Sequence, residues 1–306
     1  MVLPINAFSR SQEGPPRLIT REEVAAWAPS RPIDGHKGTF GRLLIWGGSP
    51  GMSGSVCMAA KAALRSGVGI VLVSSPAEIA APLLTFAPEV LTRRDEGDPS
   101  MRTAALIDES RSAGAVLAGP GLDPDDPFTG AAVLGLIRSA PRLVLDAGAL
   151  TAASRDLPLF RSALRDRRAE GMESPVLTPH PGEFSRINPG WDLRDRTEGA
   201  RSYAVENSVT LVLKGHDSVI SLPDGECYIN PTGNDGLAKG GSGDILGGLI
   251  GGFLAQRISV SAAVCSAVYF HGLAADFCAE ALGKRYMQPT DLFSFLTESY
   301  RSCGWE

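Results

Sequence analysis

Lysine and cysteine are scarce in this chain, and each shortage argues against a class of protein. Only five of the 29 Lys and Arg residues are lysine, the net charge is −5, and no basic stripe is evident. A nucleic-acid partner is therefore not expected. The five cysteines are odd in number and lack C-x-x-C spacing. That pattern favours reduced cytosolic thiols over disulfides or a zinc site.

Long hydrophobic runs are missing where targeting or membrane segments need them. The first residues lack a basic start followed by an apolar stretch, so no signal peptide is predicted. The longest apolar run, near residues 246–255, is too short and too rich in glycine to cross a bilayer. We therefore expect a cytoplasmic protein with no membrane partner.

The composition and the order of apolar segments predict an α/β fold. The chain has 306 residues, of which 43% are hydrophobic and 21% charged. Apolar strand candidates alternate with helical segments, which indicates a mostly parallel sheet with helices on both faces. The predicted strands are residues 43–46, 70–73, 115–117, 143–145, 176–177 and 211–213, and the predicted helices include residues 53–66 and 158–168.

The two ends of the chain differ in predicted structure. Residues 1–20 are expected to form a flexible leader, and residues 21–306 a single domain. Thr20 and Glu23 form a capping box for a short helix that runs through Trp27. Residues 219–222 and 227–229 flank Asp224 and Gly225 as a hairpin. Residues 245–296 are predicted to be mostly helical.

The most informative stretch is residues 232–244, which read TGNDGLAKGGSGD. A glycine-rich turn that opens an apolar helix presents unpaired N–H groups and the positive end of the helix dipole, which together bind anions. Asp244 would repel a bare phosphate, so it fits better as a proton acceptor for a hydroxyl beside that phosphate. The stretch predicts phosphoryl-group chemistry on a substrate oxygen. A flexible turn before a glycine-packed helix is the structural alternative.

Four more polar or glycine-rich segments follow predicted strands: residues 47–54, 119–121, 178–183 and 214–217. Ligands of parallel sheets gather beyond the carboxyl ends of the strands, so we expect five loops to meet at one edge. Three of the five lysines, Lys37, Lys214 and Lys239, lie in or beside the glycine-rich segments. A compact ammonium suits a phosphate.

Several familiar motifs can be excluded. The chain contains no G-x-x-x-x-G-K-[ST], so it is not a P-loop protein. It also has no G-x-G-x-x-G after a strand, which argues against a Rossmann oxidoreductase. Residues 47–51 match the G-x-S-x-G pattern of hydrolases, but Pro50 has no N–H for the oxyanion hole. Ser49 is therefore not expected to be a nucleophile.

The motifs, taken in order, resemble the ADP-dependent NAD(P)H-hydrate dehydratase family from about Arg17 to the C-terminus. The segments that carry the resemblance are residues 36–42, 47–54, 62–67, 180–183 and 232–246. The resemblance implies a ribokinase-like fold. It also implies repair of a nicotinamide cofactor hydrated at C6, by a dehydration that ADP drives and that yields AMP and phosphate. The chemistry agrees, because hydroxide is a poor leaving group until it is phosphorylated.

The resemblance assigns roles to the glycine-rich turn. Asp244 would contact the C6 hydroxyl of the hydrated cofactor and act as the base, and Gly243 would contact AMP. The backbone N–H groups of Gly241, Ser242 and Gly243 would hold the moving phosphoryl group.

The resemblance also implies contacts in other loops. The nucleotide would contact Lys214, Gly215, His216, Asp217 and Ser218. The hydrated cofactor would contact Ser55, Gly121 and His180, although alanine is expected where this chain has Ser55.

Three histidines and one glutamate also have structural interpretations. His180 lies between two prolines and fits a rigid loop residue as well as a binding residue. Glu183 fits a cap of the following helix as well as a magnesium ligand through water. His36 and His271 have no local partner in the sequence and are expected to be structural.

Magnesium is implied as the companion of ADP, but no metal ligand is assigned, because the family usually carries a second acid where this chain has Gly148. The resemblance also implies a homo-oligomer, specifically a tetramer. The family often carries a fused epimerase domain upstream, for which this chain has no room, so a separate epimerase is expected.

Two other functions stay open. A ribokinase-type kinase of a small alcohol, such as a thiazole or pyrimidine alcohol, would use the same turn and the same base with ATP. A non-catalytic nucleotide-binding module would keep the fold without turnover, but an intact Asp244 and glycine turn argue against it.

Overall fold

One sheet forms the centre of the computed structural model, which describes residues 14–192 and 194–305. Its ten strands, within that part of the chain, are β1 (Arg17–Leu18), β2 (Arg42–Trp46), β3 (Ile70–Ser75), β4 (Leu91–Arg94), β5 (Ala115–Ala118), β6 (Leu143–Leu145), β7 (Val176–Leu177), β8 (Thr210–Leu213), β9 (Val219–Ser221) and β10 (Cys227–Ile229). They lie in the order β1-β10-β9-β8-β7-β6-β5-β2-β3-β4. Strands β2 to β8 are parallel, and β9 is antiparallel to β8 and β10.

Helices cover both faces of the sheet. In the described ranges they are α1 (Arg21–Ala26), α2 (Ser53–Arg65), α3 (Ala77–Phe86), α4 (Pro99–Ser112), α5 (Pro127–Ser139), α6 (Ala147–Ala153), α7 (Leu157–Ala169), α8 (Pro181–Ile187), α9 (Arg196–Asn207), α10 (Ser242–Ala255), α11 (Val260–Leu282) and α12 (Leu292–Ser302). Successive side chains of a strand point to opposite faces, so β2 contributes to two cores. Leu43 and Ile45 pack with α2, α10 and α11, whereas Leu44 and Trp46 pack with α5 and α7.

The predicted architecture is confirmed: the sheet is mostly parallel, with helices on both faces. The predicted strands correspond to β2, β3 and β5 to β8, and the hairpin at Asp224 and Gly225 joins β9 to β10. The capping box of Thr20 and Glu23 is present at the start of α1. The sequence prediction gave no bounds for β4 or for six helices, α3 to α6, α8 and α9, whose short or mixed patterns are weak signals.

The boundary of the predicted leader is wrong at its carboxyl end. Arg17 and Leu18 form β1, which pairs in parallel with β10, and the side chain of Ile19 is buried. These residues are ordered because an edge of the sheet offers them backbone partners, which local composition does not reveal. The rest of the predicted leader, residues 1–13, lies outside the described residues.

Helix α11 is long and apolar enough to cross a membrane by length and composition, and the sequence prediction passed over it. However, 78% of its most apolar window is buried inside the protein. It packs against α10 and α12 in the larger of the two cores. We therefore interpret α11 as a helix of the hydrophobic core.

The parallel strands bring several loops together at their carboxyl ends. Strand β10 runs in the same direction as β8, because β9 is antiparallel to both. The segments that follow β2, β5, β6, β7, β8 and β10 therefore leave the sheet on the same side, beyond the carboxyl ends of these strands. Residues 36–41 precede β2 and lie at the opposite ends of the strands, where the carbonyl of Lys37 lies against Gly69. The grouping of Lys37 with the phosphate-binding lysines is therefore wrong.

The helix that begins at the glycine turn packs closely on its neighbour. A Cβ added at Gly248 of α10 would lie 2.2 Å from the carbonyl oxygen of Ala59 on α2. A Cβ at Gly130 of α5 would meet nothing within 4 Å. Gly248 therefore allows α10 to approach α2 closely, whereas Gly130 is next to unfilled space.

We predict that Gly248→Ala lowers the free energy of unfolding by about 1–3 kcal/mol, because the added methyl group forces α2 and α10 apart. The matched control, Gly130→Ala, should raise it by about 0.5–1 kcal/mol, since alanine has the better helix propensity. Urea unfolding of both variants measures the difference. Equal stabilities for the two variants would contradict the packing of α2 on α10.

Candidate active site

A pocket of about 640 Å³ opens where the loops meet. Its size is in the range of small-molecule sites. The loops after β6, β7, β8 and β10 all contribute to its wall, with Asp146, His180, Lys214, Thr232, Gly243 and Asp244 among the lining residues. Of the five loops predicted to meet, those after β7, β8 and β10 line this pocket, whereas residues 47–54 and 119–121 are not among its lining residues.

The glycine turn ends in a left-handed residue that starts α10. Gly241 has φ +102° and ψ −21°, a conformation that favours glycine. In the part of the chain described, no protein acceptor is within hydrogen-bond reach of the N–H groups of Gly241 and Gly243. The N–H of Ser242 donates to the carbonyl of Lys239 at 3.3 Å. The remaining donors and the helix dipole suit an anion.

Asp244 lies in the first turn of α10, close to other charged groups. Burial, followed by the nearby charge of Asp146, raises the pKa of Asp244 to about 7. A hydrogen bond with the Ser55 side chain and the charge of Lys214 act in the opposite direction. A carboxyl group with a pKa near the working pH is well suited to accept a proton from a hydroxyl.

Lys214 provides the positive charge of the site. Its Nζ lies 2.7 Å from Oδ1 of Asp146 and 3.9 Å from Oε2 of Glu183. A Cβ at Gly243 would lie 3.3 Å from the same Nζ, so the ammonium is beside the glycine turn. Burial by itself lowers the pKa of Lys214, but the carboxylates of Asp146 and Glu183 outweigh burial and the pKa is raised.

The segment after β7 is held by a reciprocal cap. Nδ1 of His180 accepts hydrogen bonds from the N–H groups of Gly182 at 3.0 Å and Glu183 at 3.3 Å. Oε2 of Glu183 accepts from the N–H of His180 at 2.9 Å. The capping interpretation of Glu183 is confirmed, and His180 is the N-cap of α8. The His180 side chain is 52% exposed and lines the pocket, so its ring is also accessible to a ligand.

The loops after β2 and β5 contact each other, and Ser55, in the first turn of α2, interacts with Asp244. A Cβ at Gly121 would lie 2.6 Å from the Met52 carbonyl oxygen and 3.2 Å from the Ser55 Cβ. The hydroxyl of Ser49 donates to the Gly121 carbonyl at 2.8 Å, which ties the two loops together and agrees with its exclusion as a nucleophile. Ser55 therefore connects Gly121 to Asp244.

The predicted nucleotide stretch is only partly in the pocket. Lys214, Gly215, His216 and Ser218 line it, and the hydroxyl of Ser218 donates to the Gly215 carbonyl at 3.2 Å within the turn. Asp217 is not part of the lining, and its carboxylate pairs with Nδ1 of His216 at 2.9 Å in solvent.

The ammonium of Lys239 is held by backbone carbonyls. Its ammonium donates to three backbone carbonyls, those of Lys284 at 3.1 Å, Arg285 at 3.3 Å and Met287 at 2.5 Å. Lys239 therefore ties the glycine-rich segment to the connection between α11 and α12. Its expected role as a phosphate-binding lysine is wrong.

Two pocket residues were missed as functional residues in the sequence. Asp146 has no role assigned to it in the sequence, yet it is the partner of Lys214. His271 was expected to be structural, and it lines the pocket with an Nε2 that has no partner among the described residues. Burial lowers the pKa of His271 to about 4, so the ring is neutral. A polar residue directly after an apolar strand is the sequence signal for Asp146.

Comparisons of the sequence with a family model and with known proteins all point to the same family. The family model for NAD(P)H-hydrate dehydratase matches residues 43–298. An ADP-dependent (S)-NAD(P)H-hydrate dehydratase of Bacillus subtilis is 37% identical over 260 residues, which cover 84% of this chain and 88% of the relative. A bifunctional NAD(P)H-hydrate repair enzyme of Moorella thermoacetica is 39% identical over 297 residues, which are 92% of this chain and 53% of the relative. The chain thus spans about half the length of that bifunctional relative.

A solved structure agrees with the sequence matches. The ADP/ATP-dependent NAD(P)H-hydrate dehydratase of Bacillus subtilis, co-crystallised with ATP and Mg²⁺, superposes with a TM-score of 0.82 at 32% identity. The superposition covers 94% of this chain and 98% of that one. The predicted ribokinase-like fold is therefore that of a solved dehydratase. The chain belongs to the NAD(P)H-hydrate dehydratase family.

Proposed function

We propose that this protein catalyses the ADP-dependent dehydration of (6S)-hydrated NADH and NADPH, which restores the cofactor and yields AMP and phosphate. The observation that carries the proposal is the position of Asp244 beside both the Lys214 ammonium and the open N–H of Gly243. A base, a cation and an anion-binding turn at one point are what transfer of a phosphoryl group to a hydroxyl requires. The relatives that match most of this chain are named for this reaction.

The geometry supports a two-step route. The C6 hydroxyl oxygen of the hydrate attacks the β-phosphorus of ADP, Asp244 accepts the hydroxyl proton, and the bond to AMP breaks. The Gly243 N–H and the Lys214 ammonium stabilise the charge on the phosphoryl oxygens during transfer. Phosphate, a far better leaving group than hydroxide, then departs from C6 and the double bond of the nicotinamide ring is restored as a proton is lost.

The ligands are expected to occupy two subsites that meet at Asp244. We place ADP against the turn of Gly241 to Gly243 and the loop from Lys214 to Ser218. The hydrated cofactor is placed against Ser55, Gly121 and His180. The support is that these two groups of residues approach Asp244 from different loops.

Magnesium fits this site as an ion that the nucleotide carries. The described residues contain no group of three His, Cys, Asp or Glu side chains that could hold a metal ion. Mg²⁺ commonly keeps several waters and binds through substrate phosphates and one or two carboxylates. When bound it would neutralise phosphate charge, while the binding of the transferred group stays with Gly243 and Lys214.

Further aspects of the proposal concern assembly and location. We propose a homo-oligomer, a tetramer, in the cytoplasm, which works beside a separate epimerase of the hydrates. Light scattering of the purified protein measures the oligomer, and incubation with single epimers of the hydrate shows whether this chain interconverts them.

The function is tested by incubating the protein with hydrated NADH, ADP and Mg²⁺ and following absorbance at 340 nm. We predict that absorbance rises only with nucleotide present and that Asp244→Asn lowers the rate by about 10²–10⁴, the usual effect of removing a general base. An accumulating phosphorylated alcohol with ATP would favour the kinase, and nucleotide binding without any turnover would favour a non-catalytic module.

The free energy of unfolding, measured as a function of pH, is the control that shows whether Asp244→Asn is folded. The folded pKa of Asp244, about 7, exceeds the unfolded value near 4, so this residue costs stability that grows as pH rises from about 4 to 7. Asp244→Asn should therefore unfold like the wild type at pH 4 and be more stable at pH 8, by about 4 kcal/mol, since each pKa unit corresponds to about 1.4 kcal/mol. A variant less stable at pH 8 could not be used to assign the base.

The glycine turn gives a prediction on nucleotide binding. Gly243→Val would place a branched side chain beside Lys214 where phosphate approaches the N–H groups, so we expect ADP affinity to fall at least tenfold. Gly243 does not have a positive φ, so the fold should tolerate the change. Gly240→Val is the matched control, since its Cβ meets nothing within 4 Å. Ordinary ADP binding by Gly243→Val in calorimetry would place the phosphate elsewhere.

The two subsites predict additive stabilisation. Saturating ADP should leave room for a further rise in melting temperature on adding NADPH, because each ligand binds the folded state. His180→Asn should reduce the NADPH increment and spare that of ADP, since asparagine keeps the helix cap and removes the imidazole ring. Thermal-shift titrations in either order measure both increments. Strict competition between ADP and NADPH would contradict two subsites.

A further inference from the structure

Asp146 is a buried carboxylate that neither caps a helix nor meets solvent. It precedes α6, but its side chain makes no capping hydrogen bond, and the residue is 1% exposed. Its Oδ1 contacts the Lys214 ammonium at 2.7 Å. The ion pair satisfies a charge that would otherwise be costly to bury.

The backbone around Asp146 is strained. Ala147 has φ +43°, a conformation that alanine rarely adopts. A Cβ at Gly119 would lie 1.8 Å from the Asp146 carbonyl oxygen, so the loop after β6 packs directly on the loop after β5. Strain of this kind persists when the surrounding structure imposes it, and it is often found at functional sites.

The second carboxylate oxygen of Asp146 faces the helix that carries Asp244. A Cβ at Gly247 of α10 would lie 3.6 Å from Oδ2 of Asp146. Residues three apart lie on the same side of a helix, so Asp146 is one turn from Asp244 on one face of α10. Its negative charge therefore acts on Asp244 from close range.

We propose that Asp146 is a positioning residue of the phosphoryl-transfer site, which holds the Lys214 ammonium beside Gly243 and acts through its charge on Asp244. In this proposal Asp146 acts through the Lys214 ammonium, which it contacts at 2.7 Å, and through its charge. This inference rests on the proposed function, because it gives Asp244 the role of base. Other groups that face Asp244 are the Lys214 ammonium, the Glu183 carboxylate and the Ser55 hydroxyl.

The first measurement is the pH dependence of dehydration. Removing the charge of Asp146 leaves Lys214 free to approach Asp244, and both changes favour ionised Asp244. In Asp146→Asn the acid limb of the kcat/KM profile should therefore move to lower pH by about one unit. Asp166→Asn, which removes a carboxylate that is 51% exposed in its pair with Arg138, is the matched control and should leave the limb in place. A lower rate with an unmoved limb would overturn the proposal.

The second measurement does not need turnover. A double-mutant cycle of Asp146→Asn and Asp244→Asn, read by urea unfolding, should show a coupling between the two sites at pH 8 that is lost at pH 5, where Asp244 is protonated. A coupling that is equal at both pH values would overturn the proposal. If the wild type fails to dehydrate the hydrate, the proposed function fails, and this cycle still decides the role of Asp146.

Folding of the variants is kept separate from their chemistry. Removing one partner of a buried ion pair can destabilise a protein strongly. If Asp146→Asn does not fold, it is combined with Lys214→Met, so that neither charge of the pair is left without its partner. The gain in stability at pH 8 from Asp244→Asn should then be smaller than in the wild type, because the charge of Asp146 acts on Asp244 more strongly than that of Lys214. An equal gain would overturn the proposal.

Discussion

The Lys214 ammonium is the counter-charge on which the site depends. It lies between Asp146 and Glu183, with its side chain 19% exposed, and is beside the turn at Gly243. Without it, a carboxylate that is 1% exposed at Asp146 would be unpaired, which is among the most unfavourable arrangements in a protein interior. One charged group thus lets a carboxylate cluster and an anion-binding turn occupy the same pocket.

The site has a cost in stability that the rest of the fold offsets. Asp244 is buried near other carboxylates, and Ala147 has an unfavourable backbone conformation. Such features persist because the surrounding structure imposes them. Here two hydrophobic cores, one on each face of the sheet, hold the loops, and α10 packs tightly on α2 through Gly248. The rigid scaffold keeps the loop residues at the positions that phosphoryl transfer needs.

The fold was largely predictable because its signals are local. Apolar runs such as β2 and β8, the capping box at Thr20 and the hairpin at Asp224 and Gly225 each depend on a few neighbouring residues. Elements with mixed patterns were not predictable. Strand β1 is the clearest case, because Arg17 and Leu18 are both exposed and become a strand only through pairing with β10.

For the candidate site, the sequence by itself determined that loops rich in glycine and polar residues follow the strands, that α10 starts at a glycine turn, and that Asp244 lies in its first turn. The tertiary structure decided which polar groups have partners. Lys239 and Lys214 both lie in such segments, yet backbone carbonyls hold one ammonium and carboxylates hold the other. Charge pairing joins residues far apart in the chain, such as Asp146 and Lys214, and only the packing of their strands in one sheet brings them together.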